Sequence, residues 1–312
     1  MKHIFIANPA AGPVDSVPHI RAEVEKLRAH YDCEIYETRA PGDAIRYIRA
    51  FCDAHPGDRV RFYACGGDGT LNEVLNGAIG YPEASISVYP CGSGNDFVKY
   101  YGAEHFLSIP ALLEGEEHGI DVLTNGESYA INIANFGFEY FVCDGMEQAR
   151  RRPLFKGKNA YTYGIARALL HCRKNRAEIY VDGKLLNEDG MLLLGNVANG
   201  SHAGGGYRCA PRSDNEDGLL EVCLFPPVSV LTFLSLIGDY KKGTHLENPR
   251  FKKLLHYTRG KEIRVLSDQE GFGYVFDGQI IRSKDFTLRV LPKAIRFAVP
   301  PTLRKSKENS EK

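Results

Sequence analysis

Two glycine-rich segments of the sequence carry the residue types that bind an anionic ligand. The first follows the apolar run at residues 60–65 and reads Gly66-Gly67-Asp68-Gly69-Thr70-Leu71-Asn72-Glu73. Glycines let bare backbone approach a ligand closely, and the first N–H groups of a following helix have no intrahelical partner. Because these N–H groups attract negative charge, the segment predicts a phosphate-binding turn between a strand and a helix.

The residues after this turn predict the helix and the role of the acidic side chain. Leu71, Val74 and Leu75 recur at helical spacing, and Thr70 is the predicted N-cap. A carboxylate is a poor neighbour for phosphate, so Asp68 is predicted to face magnesium or a hydroxyl group. The segment fits neither a Walker loop nor the GxGxxG pattern. An ordinary glycine turn between a strand and a helix is the alternative.

A second segment repeats this plan. A short apolar run from residue 86 leads to a polar turn and then to a predicted helix, and the turn reads Cys91-Gly92-Ser93-Gly94-Asn95-Asp96. In a parallel sheet, two turns that follow strands lie at the same edge, which is where open α/β folds bind ligands. The two segments are therefore expected to form one site.

Together the two segments resemble the catalytic-domain family of diacylglycerol kinases, which includes sphingosine kinases and bacterial lipid kinases. The resemblance extends to the segment Asn8-Pro9-Ala-Ala-Gly12, which lies against the nucleotide in the family and which alone would read as a plain turn. It implies ATP as the phosphate donor. The nucleotide contacts that it implies are Asn8, Pro9, Gly12, Thr38, Gly66, Gly67, Asp68, Gly69, Thr70, Asn72, Glu73, Gly92, Ser93, Asn95 and Asp96.

Phosphoryl transfer also needs a carboxylate that orients or deprotonates the attacking hydroxyl group. Asp68 is one candidate, and Asp277 is the other, at the position of the family's Asp-Gly-Glu motif. Here Gln279 replaces the glutamate, and an amide accepts a proton or binds a metal less strongly. We predict Asp277 as the base, with Asp68 acting through magnesium and substrate positioning. A simple hairpin turn at Asp277-Gly278 is the alternative.

The resemblance further implies a structural magnesium ion. Its ligands are Asp214, Asp217 and the backbone carbonyl of Leu219, within a block that matches the family. Hard oxygen ligands at short spacing on a turn suit Mg²⁺, which keeps several of its waters. An acidic, solvated hairpin is the alternative.

The order of elements predicts the fold class. Strands and helices alternate up to about residue 120, which predicts an α/β nucleotide-binding domain with a parallel sheet. Beyond it, short strands separated by Asn-Gly and Asp-Gly turns predict an antiparallel β-sandwich. The expected domains are 1–122, joined by 284–304 on the basis of the resemblance, and 123–283 for the lipid substrate, with a disordered tail at 305–312.

Composition excludes several classes of protein. The formal net charge of zero gives no general attraction to nucleic acid, and the eight cysteines without a CxxC pair indicate reduced thiols. There is no signal-peptide pattern and no apolar run of membrane-spanning length, so a cytoplasmic protein is expected. A basic segment without acidic residues predicts transient contact with the inner face of the membrane, through Arg150, Arg151, Arg152, Lys156, Lys158, Arg167, Arg173, Lys174 and Arg176.

These observations lead to one functional hypothesis and two alternatives. The hypothesis is an ATP- and Mg²⁺-dependent kinase that phosphorylates a lipid hydroxyl group at an interdomain cleft, with diacylglycerol as the default acceptor. One alternative is a kinase of a soluble acceptor, as in NAD kinases, which share the Gly-Gly-Asp-Gly-Thr motif. The other is a non-catalytic nucleotide or lipid binder, suggested by Gln279. Nothing in the sequence indicates the oligomeric state.

Overall fold

The computed structural model describes residues 1–150, 158–171, 175–252 and 254–301. The chain divides into two compact units, and each is described by itself. The first contains Met1–Val122, Gly204–Gly206 and the chain from Leu291, and the second contains Leu123–Ala203 and Tyr207–Val290. The predicted disordered tail and most of the basic segment lie outside the described residues.

The first unit is built on a parallel sheet. Strand β1 is Lys2–Ala7, β2 is Cys33–Glu37, β3 is Val60–Gly66 and β4 is Ala84–Pro90, in the spatial order β2-β1-β3-β4. Every residue of β3 and of β4 is buried, as expected for strands covered on both faces. Because the strands are parallel, the loops that follow them lie at one edge of the sheet.

Helices connect these strands. They are α1 (Val17–Leu27), α2 (Asp43–Ala54), α3 (Asp68–Ala78) and α4 (Ile109–Leu113), with 3₁₀-helices at Phe97–Tyr100 and Ala103–Leu107. The prediction of Thr70 as N-cap is wrong, because α3 begins at Asp68 with Gly67 at the N-cap. The helix predicted after the second glycine turn is a single 3₁₀ turn. The glycine segment itself therefore forms the first helical turn of α3.

The second unit contains two sheets. Its strands include β6 (Tyr129–Ala130), β7 (Ile133–Gly137), β8 (Glu178–Val181), β9 (Lys184–Leu185), β10 (Leu194–Ala198), β11 (Leu220–Phe225), β12 (His256–Gly260), β13 (Glu262–Leu266), β14 (Tyr274–Phe276) and β15 (Gln279–Ile281). Strands β5 (Glu116–Thr124) and β16 (Asp285–Val299) contribute residues to both units.

The strands of the second unit pair as an antiparallel sandwich. One sheet has the order β12-β11-β10-β7-β14-β15, and in the other β13 pairs with β8 and with the first residues of β16. Side chains from both sheets form one core, which includes Phe136, Val222, Ile179, Val265 and Leu288. The predicted fold class, an α/β domain followed by an antiparallel β-sandwich, is confirmed.

Three helices complete the described part of the second unit. They are α5 (Phe138–Arg150), α6 (Lys158–His171) and α7 (Val230–Lys242). Helix α5, which follows β7 directly, has no counterpart among the predicted elements. It packs on α6 where Gly145 meets Gly164, since a Cβ atom on Gly145 would lie 2.9 Å from the Cα atom of Gly164. Within the described ranges, no helix is long and apolar enough to cross a membrane.

The buried imidazole of His3 gives the first unit a pH-dependent stability. Its Nδ1 atom lies 2.7 Å from the Tyr63 hydroxyl oxygen. Burial, assisted by the nearby Arg61 guanidinium, lowers the pKa of His3 from 6.5 to about 4. Between these pH values the unfolded chain binds the proton and the folded protein does not. The free energy of unfolding is therefore expected to fall by up to about 3 kcal/mol as the pH is lowered through this window.

Urea unfolding of the wild type and of His3→Gln between pH 7 and pH 4 measures this contribution. Glutamine keeps a polar group near Tyr63 but does not titrate, so the variant is expected to lose less stability over this range. An identical pH dependence in both proteins would contradict the assignment.

Candidate functional site

Three loops meet at the carboxyl edge of the parallel sheet in the first unit. The loop after β1 reaches α3, where the side-chain amide of Asn8 donates to Thr70 Oγ1 at 3.1 Å. The loop after β4 reaches the end of β3, where the N–H groups of Cys91 and Gly92 both donate to the carbonyl of Gly66 at 3.1 Å. The structure thus brings both glycine segments and the Asn8 loop together.

Glycine is required where these loops touch. A Cβ atom on Gly92 would lie 2.2 Å from the Cα atom of Gly67, and one on Gly12 would lie 2.2 Å from the carbonyl oxygen of Cys91. A Cβ atom on Gly66 would lie 2.2 Å from Thr70 Oγ1. These separations are shorter than any ordinary contact, so a side chain at Gly12 or Gly92 would force the loops apart, and one at Gly66 would clash with the side chain of Thr70.

Backbone N–H groups of both glycine segments remain available to a ligand. Within the described part of the chain, no group accepts a hydrogen bond from the N–H of Gly67, Asp68 or Gly69 at the start of α3, or of Ser93 or Gly94 in the second loop. A Cβ atom on Gly69 would meet no atom of the described residues within 4 Å. The site therefore combines the positive end of a helix with open space, as an anionic group requires.

Asp68 links the two loops through its carboxylate. Its Oδ1 atom accepts hydrogen bonds from the N–H groups of Asp96 at 2.7 Å and Phe97 at 3.3 Å. Burial, and next the negative charge of Asp96, raises the pKa of Asp68. Asp68, which is predicted to contact magnesium or a hydroxyl group, thus has its Oδ1 atom bound by backbone N–H groups. A cation beside Asp68 would offset the unfavourable burial of its negative charge.

Asp96 is held in turn by a cation and a backbone amide. Its Oδ1 atom accepts from Lys99 Nζ at 2.6 Å, and its Oδ2 atom accepts from the N–H of Gly205 at 2.8 Å. Lys99 and Gly205 are not among the predicted site residues. The position of Lys99 three residues after Asp96 was an available signal, whereas nothing local indicates a contact with Gly205.

Asn95 presents an acceptor between the two loops. It adopts a positive φ of 53°, which asparagine tolerates better than most residues, and its Nδ2 atom donates to the Gly92 carbonyl at 2.7 Å. Its Oδ1 atom is buried and has no hydrogen-bond partner among the described residues. A buried acceptor without a partner is costly, so this atom fits a hydroxyl group or a cation brought by a ligand.

The remaining predicted nucleotide residues take different positions. Thr38 donates its N–H to the carbonyl of Ala7 at 2.9 Å and so lies at the end of β1. Glu73 Oε1 accepts from the N–H of Gly42 at 2.8 Å, which ties α3 to the start of α2. Asn72 is buried within α3, whereas Pro9 and Ser93 are exposed. Glu73 is therefore held by α2 through this contact.

Asp277 lies in a hairpin of the second unit with its carboxylate held by backbone. Oδ2 accepts from the N–H of Ile131 at 2.7 Å, and Oδ1 accepts from those of Asn132 at 3.2 Å and Ile133 at 2.8 Å. Its side chain is buried. Three N–H donors fix the orientation of the carboxylate.

The hairpin explains how the chain aims this side chain. Asp277 and Gly278 connect β14 to β15 as a two-residue turn, and both have positive φ values, 44° and 87°. This is the pattern of a type I′ turn, which favours Asp-Gly. Gln279 follows on β15 and is exposed. Asp277 and Gly278 therefore form the hairpin turn, and the same Asp277 also carries the buried carboxylate.

The predicted metal ligands lie on one turn of the second unit before β11. Asp214 accepts the N–H of Glu216 at 3.0 Å, and Asp217 accepts the N–H of Leu219 at 3.0 Å. Asp217 also forms an ion pair with Arg259. Within the described ranges, no group of three or more His, Cys, Asp and Glu side chains could hold a metal ion. Two carboxylates and a carbonyl fit Mg²⁺ only with waters completing its coordination.

The second unit also contains an apolar cavity beneath α7. It is lined only by apolar and aromatic residues, among them Leu193 and Phe225 from the sheet, Phe233 and Leu236 from α7, and Phe251. The buried imidazole of His245 packs against the rings of Phe225, Tyr240 and Phe251. With a volume of about 30 Å³, the cavity is a small packing void and has no room for an acyl chain.

Two family models match the chain. The model of the diacylglycerol kinase catalytic domain matches residues 2–125, and that of the YegS C-terminal NAD kinase beta sandwich-like domain matches residues 133–299. The two matches follow one another in the order in which the parallel sheet and the sandwich occur.

Individual proteins match over most of the chain. A diacylglycerol kinase of Bacillus subtilis is 27% identical over 84% of this chain and 84% of its own. A Shewanella frigidimarina protein named "Probable lipid kinase YegS-like" is 28% identical over 85% of this chain and 84% of its own. The crystal structure of a diacylglycerol kinase from Bacillus anthracis superimposes with a TM-score of 0.70 at 20% identity, covering 97% of this chain and 98% of its own.

Proposed function

Because the chain belongs to the lipid kinase family that joins a diacylglycerol kinase catalytic domain to a YegS-type C-terminal domain, we propose that it transfers the γ-phosphate of ATP to a lipid hydroxyl group. The observation that carries the ATP assignment is the pair of glycine loops in contact. Their N–H groups at Gly67, Asp68, Gly69, Ser93 and Gly94 have no acceptor within the described residues. Triphosphate oxygens are the acceptors that suit this arrangement.

In this proposal the loops position the donor and the polar residues around them complete the site. The start of α3 binds the phosphates, and Asn95 Oδ1 accepts from a nucleotide hydroxyl group or contacts its cation. Asp68 positions the metal and the acceptor, and Asp96 and Lys99 hold the second loop in place. Since the backbone amides are fixed before ATP arrives, binding requires little reorganisation.

Asp277 is proposed as the base that accepts the proton of the lipid hydroxyl group. Its three backbone contacts hold the carboxylate in a fixed orientation, which a general base needs. Gln279 is proposed to contribute little to proton transfer, because an amide is a weak proton acceptor. The enzyme therefore does not require the glutamate that is usual in the family at this position.

A lipid acceptor is supported by the related proteins, which carry lipid kinase names. Diacylglycerol is the proposed acceptor because the catalytic-domain model and the Bacillus subtilis relative are both named for it. A second candidate is a soluble acceptor, since the model that matches residues 133–299 is described as NAD kinase beta sandwich-like.

One experiment separates these acceptors. The purified protein is incubated with labelled ATP, Mg²⁺ and either diacylglycerol in vesicles, a broad lipid extract, or NAD. Labelled product from diacylglycerol or from the extract, and none from NAD, is the expected result. Label in NAD, or ATP binding without transfer to any lipid, would contradict the proposal.

Magnesium is proposed at two sites. One ion, near Asp68, would neutralise charge on the phosphates when bound. The other would stabilise the turn that contains Asp214, Asp217 and Leu219. The second assignment predicts that Mg²⁺ raises the melting temperature of the wild type in the absence of ATP. Asp217→Asn removes a charged ligand, so most of this increase is expected to disappear.

The measurement is a thermal scan of both proteins with and without millimolar Mg²⁺. Asp189→Asn is a matched control, because Asp189 likewise caps a nearby backbone N–H, that of Met191, in the second unit. Equal stabilisation of the wild type and Asp217→Asn by Mg²⁺ would place the ion elsewhere.

A further inference from the structure

Helix α7 carries a cluster of exposed apolar side chains on its outer face. Val230, Leu231 and Leu234 are 39%, 80% and 60% exposed. The other large apolar side chains found exposed in the described part of the chain are scattered, at Met1, Val14, Leu107 and Leu185. Single exposed apolar residues need no explanation, whereas a cluster marks a surface that binds something.

The outer face changes character along the helix. We define it as the exposed residues of α7, which recur at helical spacing: Val230, Leu231, Leu234, Ser235, Gly238, Lys241 and Lys242. Within the described part of the chain, a Cβ atom on Gly238 would meet no atom within 4 Å, so the middle of the face is open. Lys241 and Lys242 lie in the last turn. The face is therefore apolar at its start and cationic at its end.

The helix is held firmly from its other side, so the exposure is not a consequence of a frayed end. Leu236 is buried, and Phe233 and Tyr240 pack against the same cluster. Ser229 accepts the N–H of Thr232 at the N-terminus, and Gly243 with a φ of 76° ends the helix. The outer face is thus presented on a fixed element.

The chemistry of this face fits an anionic lipid surface. No ion pair joins Lys241 or Lys242 to a described acidic residue, and Lys241 Nζ lies 5.5 Å from the centre of the Tyr207 ring. With 13 residues, α7 is about 20 Å long, too short to cross a bilayer and long enough to lie in its interface. Leucines on one part of a face and lysines on another are what an interfacial helix presents.

We propose that α7 binds the enzyme to anionic membranes, with Leu231 and Leu234 inserted among the acyl chains and Lys241 and Lys242 beside the lipid phosphates. This inference rests on the proposed function, because a kinase of a membrane lipid must reach an acceptor that does not leave the bilayer. It assigns the membrane contact to a described helix of the second unit and does not depend on the basic segment near residue 150.

Flotation of the full chain with vesicles tests the proposal without any turnover. The vesicles contain phosphatidylglycerol and phosphatidylcholine, or phosphatidylcholine alone. Leu231→Glu is expected to lower binding to the anionic vesicles by about tenfold or more, because a leucine side chain that is inserted into the membrane contributes strongly to partitioning. Lys241→Gln and Lys242→Gln are each expected to weaken binding to anionic vesicles by about fivefold and to have little effect on neutral ones.

Leu185→Glu is the matched control, since Leu185 is 42% exposed in the second unit and the substitution changes charge equally. It is expected to bind as the wild type does. Equal binding by Leu231→Glu and wild type, or an equal loss in Leu185→Glu, would overturn the proposal. Sedimentation tests whether a second copy of the chain, and not a membrane, covers the outer face of α7. This alternative would hold if the wild type is a dimer, Leu231→Glu is a monomer and both bind vesicles equally.

A separate assay keeps this inference distinct from the proposed function. With a dispersed short-chain diacylglycerol, the wild type and Leu231→Glu are expected to turn over at the same rate, while with vesicle substrate the variant is slower. Vesicle binding without transfer to any lipid would remove the proposed function but keep the membrane surface. Transfer to vesicle lipid that Leu231→Glu leaves unchanged would remove the surface and keep the function.

Discussion

Replacement of Asp277 by asparagine is expected to lower turnover by about two to four orders of magnitude, the usual contribution of a general base. The ATP dissociation constant is expected to stay close to that of the wild type, because the proposed phosphate contacts are backbone amides of other residues. The substitution also exchanges an acceptor for a donor beside the N–H groups of Ile131 and Ile133. Turnover is therefore compared with the melting temperature and with ATP binding on the same preparation.

Gln279→Glu is the companion variant for this experiment. If Asp277 is the base, a second carboxylate in the hairpin adds little, and the rate is expected to change by less than about tenfold. A rate loss below tenfold in Asp277→Asn would contradict the assignment of the base. A large gain in Gln279→Glu would instead show that the native glutamine limits the reaction.

Gly92→Ala is expected to abolish ATP binding at millimolar nucleotide and to destabilise the protein. The new Cβ atom would lie 2.2 Å from the Gly67 Cα atom, so the two loops must separate. Forced overpacking of this kind costs about 1–3 kcal/mol. Calorimetric titration with ATP and urea unfolding measure the two effects.

Gly69→Ala is the matched variant, because a Cβ atom at Gly69 would meet no protein atom within 4 Å. It is expected to keep or slightly raise stability, since alanine favours the first turn of α3. ATP affinity is expected to fall by about tenfold, because the methyl group would occupy space proposed for phosphate oxygens, and a lost charge-assisted hydrogen bond has this magnitude. Normal ATP binding by Gly92→Ala would contradict the role of the loop contact.

Local sequence signals were sufficient for the fold class. The glycine segments after β3 and β4 break apolar runs in a way that only a turn explains, and the alternation of strands and helices predicts a parallel sheet. Short strands with Asp-Gly and Asn-Gly turns predict the sandwich, and the structure has hairpins at Asn125-Gly126, Asp182-Gly183 and Asp277-Gly278. Each of the turn signals is contained within a few residues of the chain.

Features without a local signal were missed. Helix α5 follows β7 directly after Gly137, whose φ is 75°, and no Ser, Thr, Asp or Asn marks its start. The prediction put the N-cap of α3 at Thr70 because threonine has a typical capping side chain. The N-cap is Gly67, which makes no side-chain capping hydrogen bond.

Contacts between distant parts of the chain were also beyond the sequence. The N–H groups that hold Asp277 belong to residues more than 140 positions earlier, and Gly205 reaches Asp96 across 109 positions. No spacing pattern indicates such pairs, because they depend on how the sheets are assembled. The residue types at the candidate site were recognisable, but their hydrogen-bond partners were not.

Amide chemical shifts of the isotope-labelled protein during titration with ATP and Mg²⁺ test the central claim most directly. The largest changes are predicted for the N–H groups of Gly67, Gly69 and Gly94, whereas Gly57 and Gly80, which precede β3 and β4 at the opposite edge of the sheet, should move little. The account would be contradicted by saturable ATP binding that leaves the amide chemical shifts of Gly67, Gly69 and Gly94 unchanged. Equally large changes in the amide shifts of Gly57 and Gly80 would also show that the glycine loops do not hold the nucleotide.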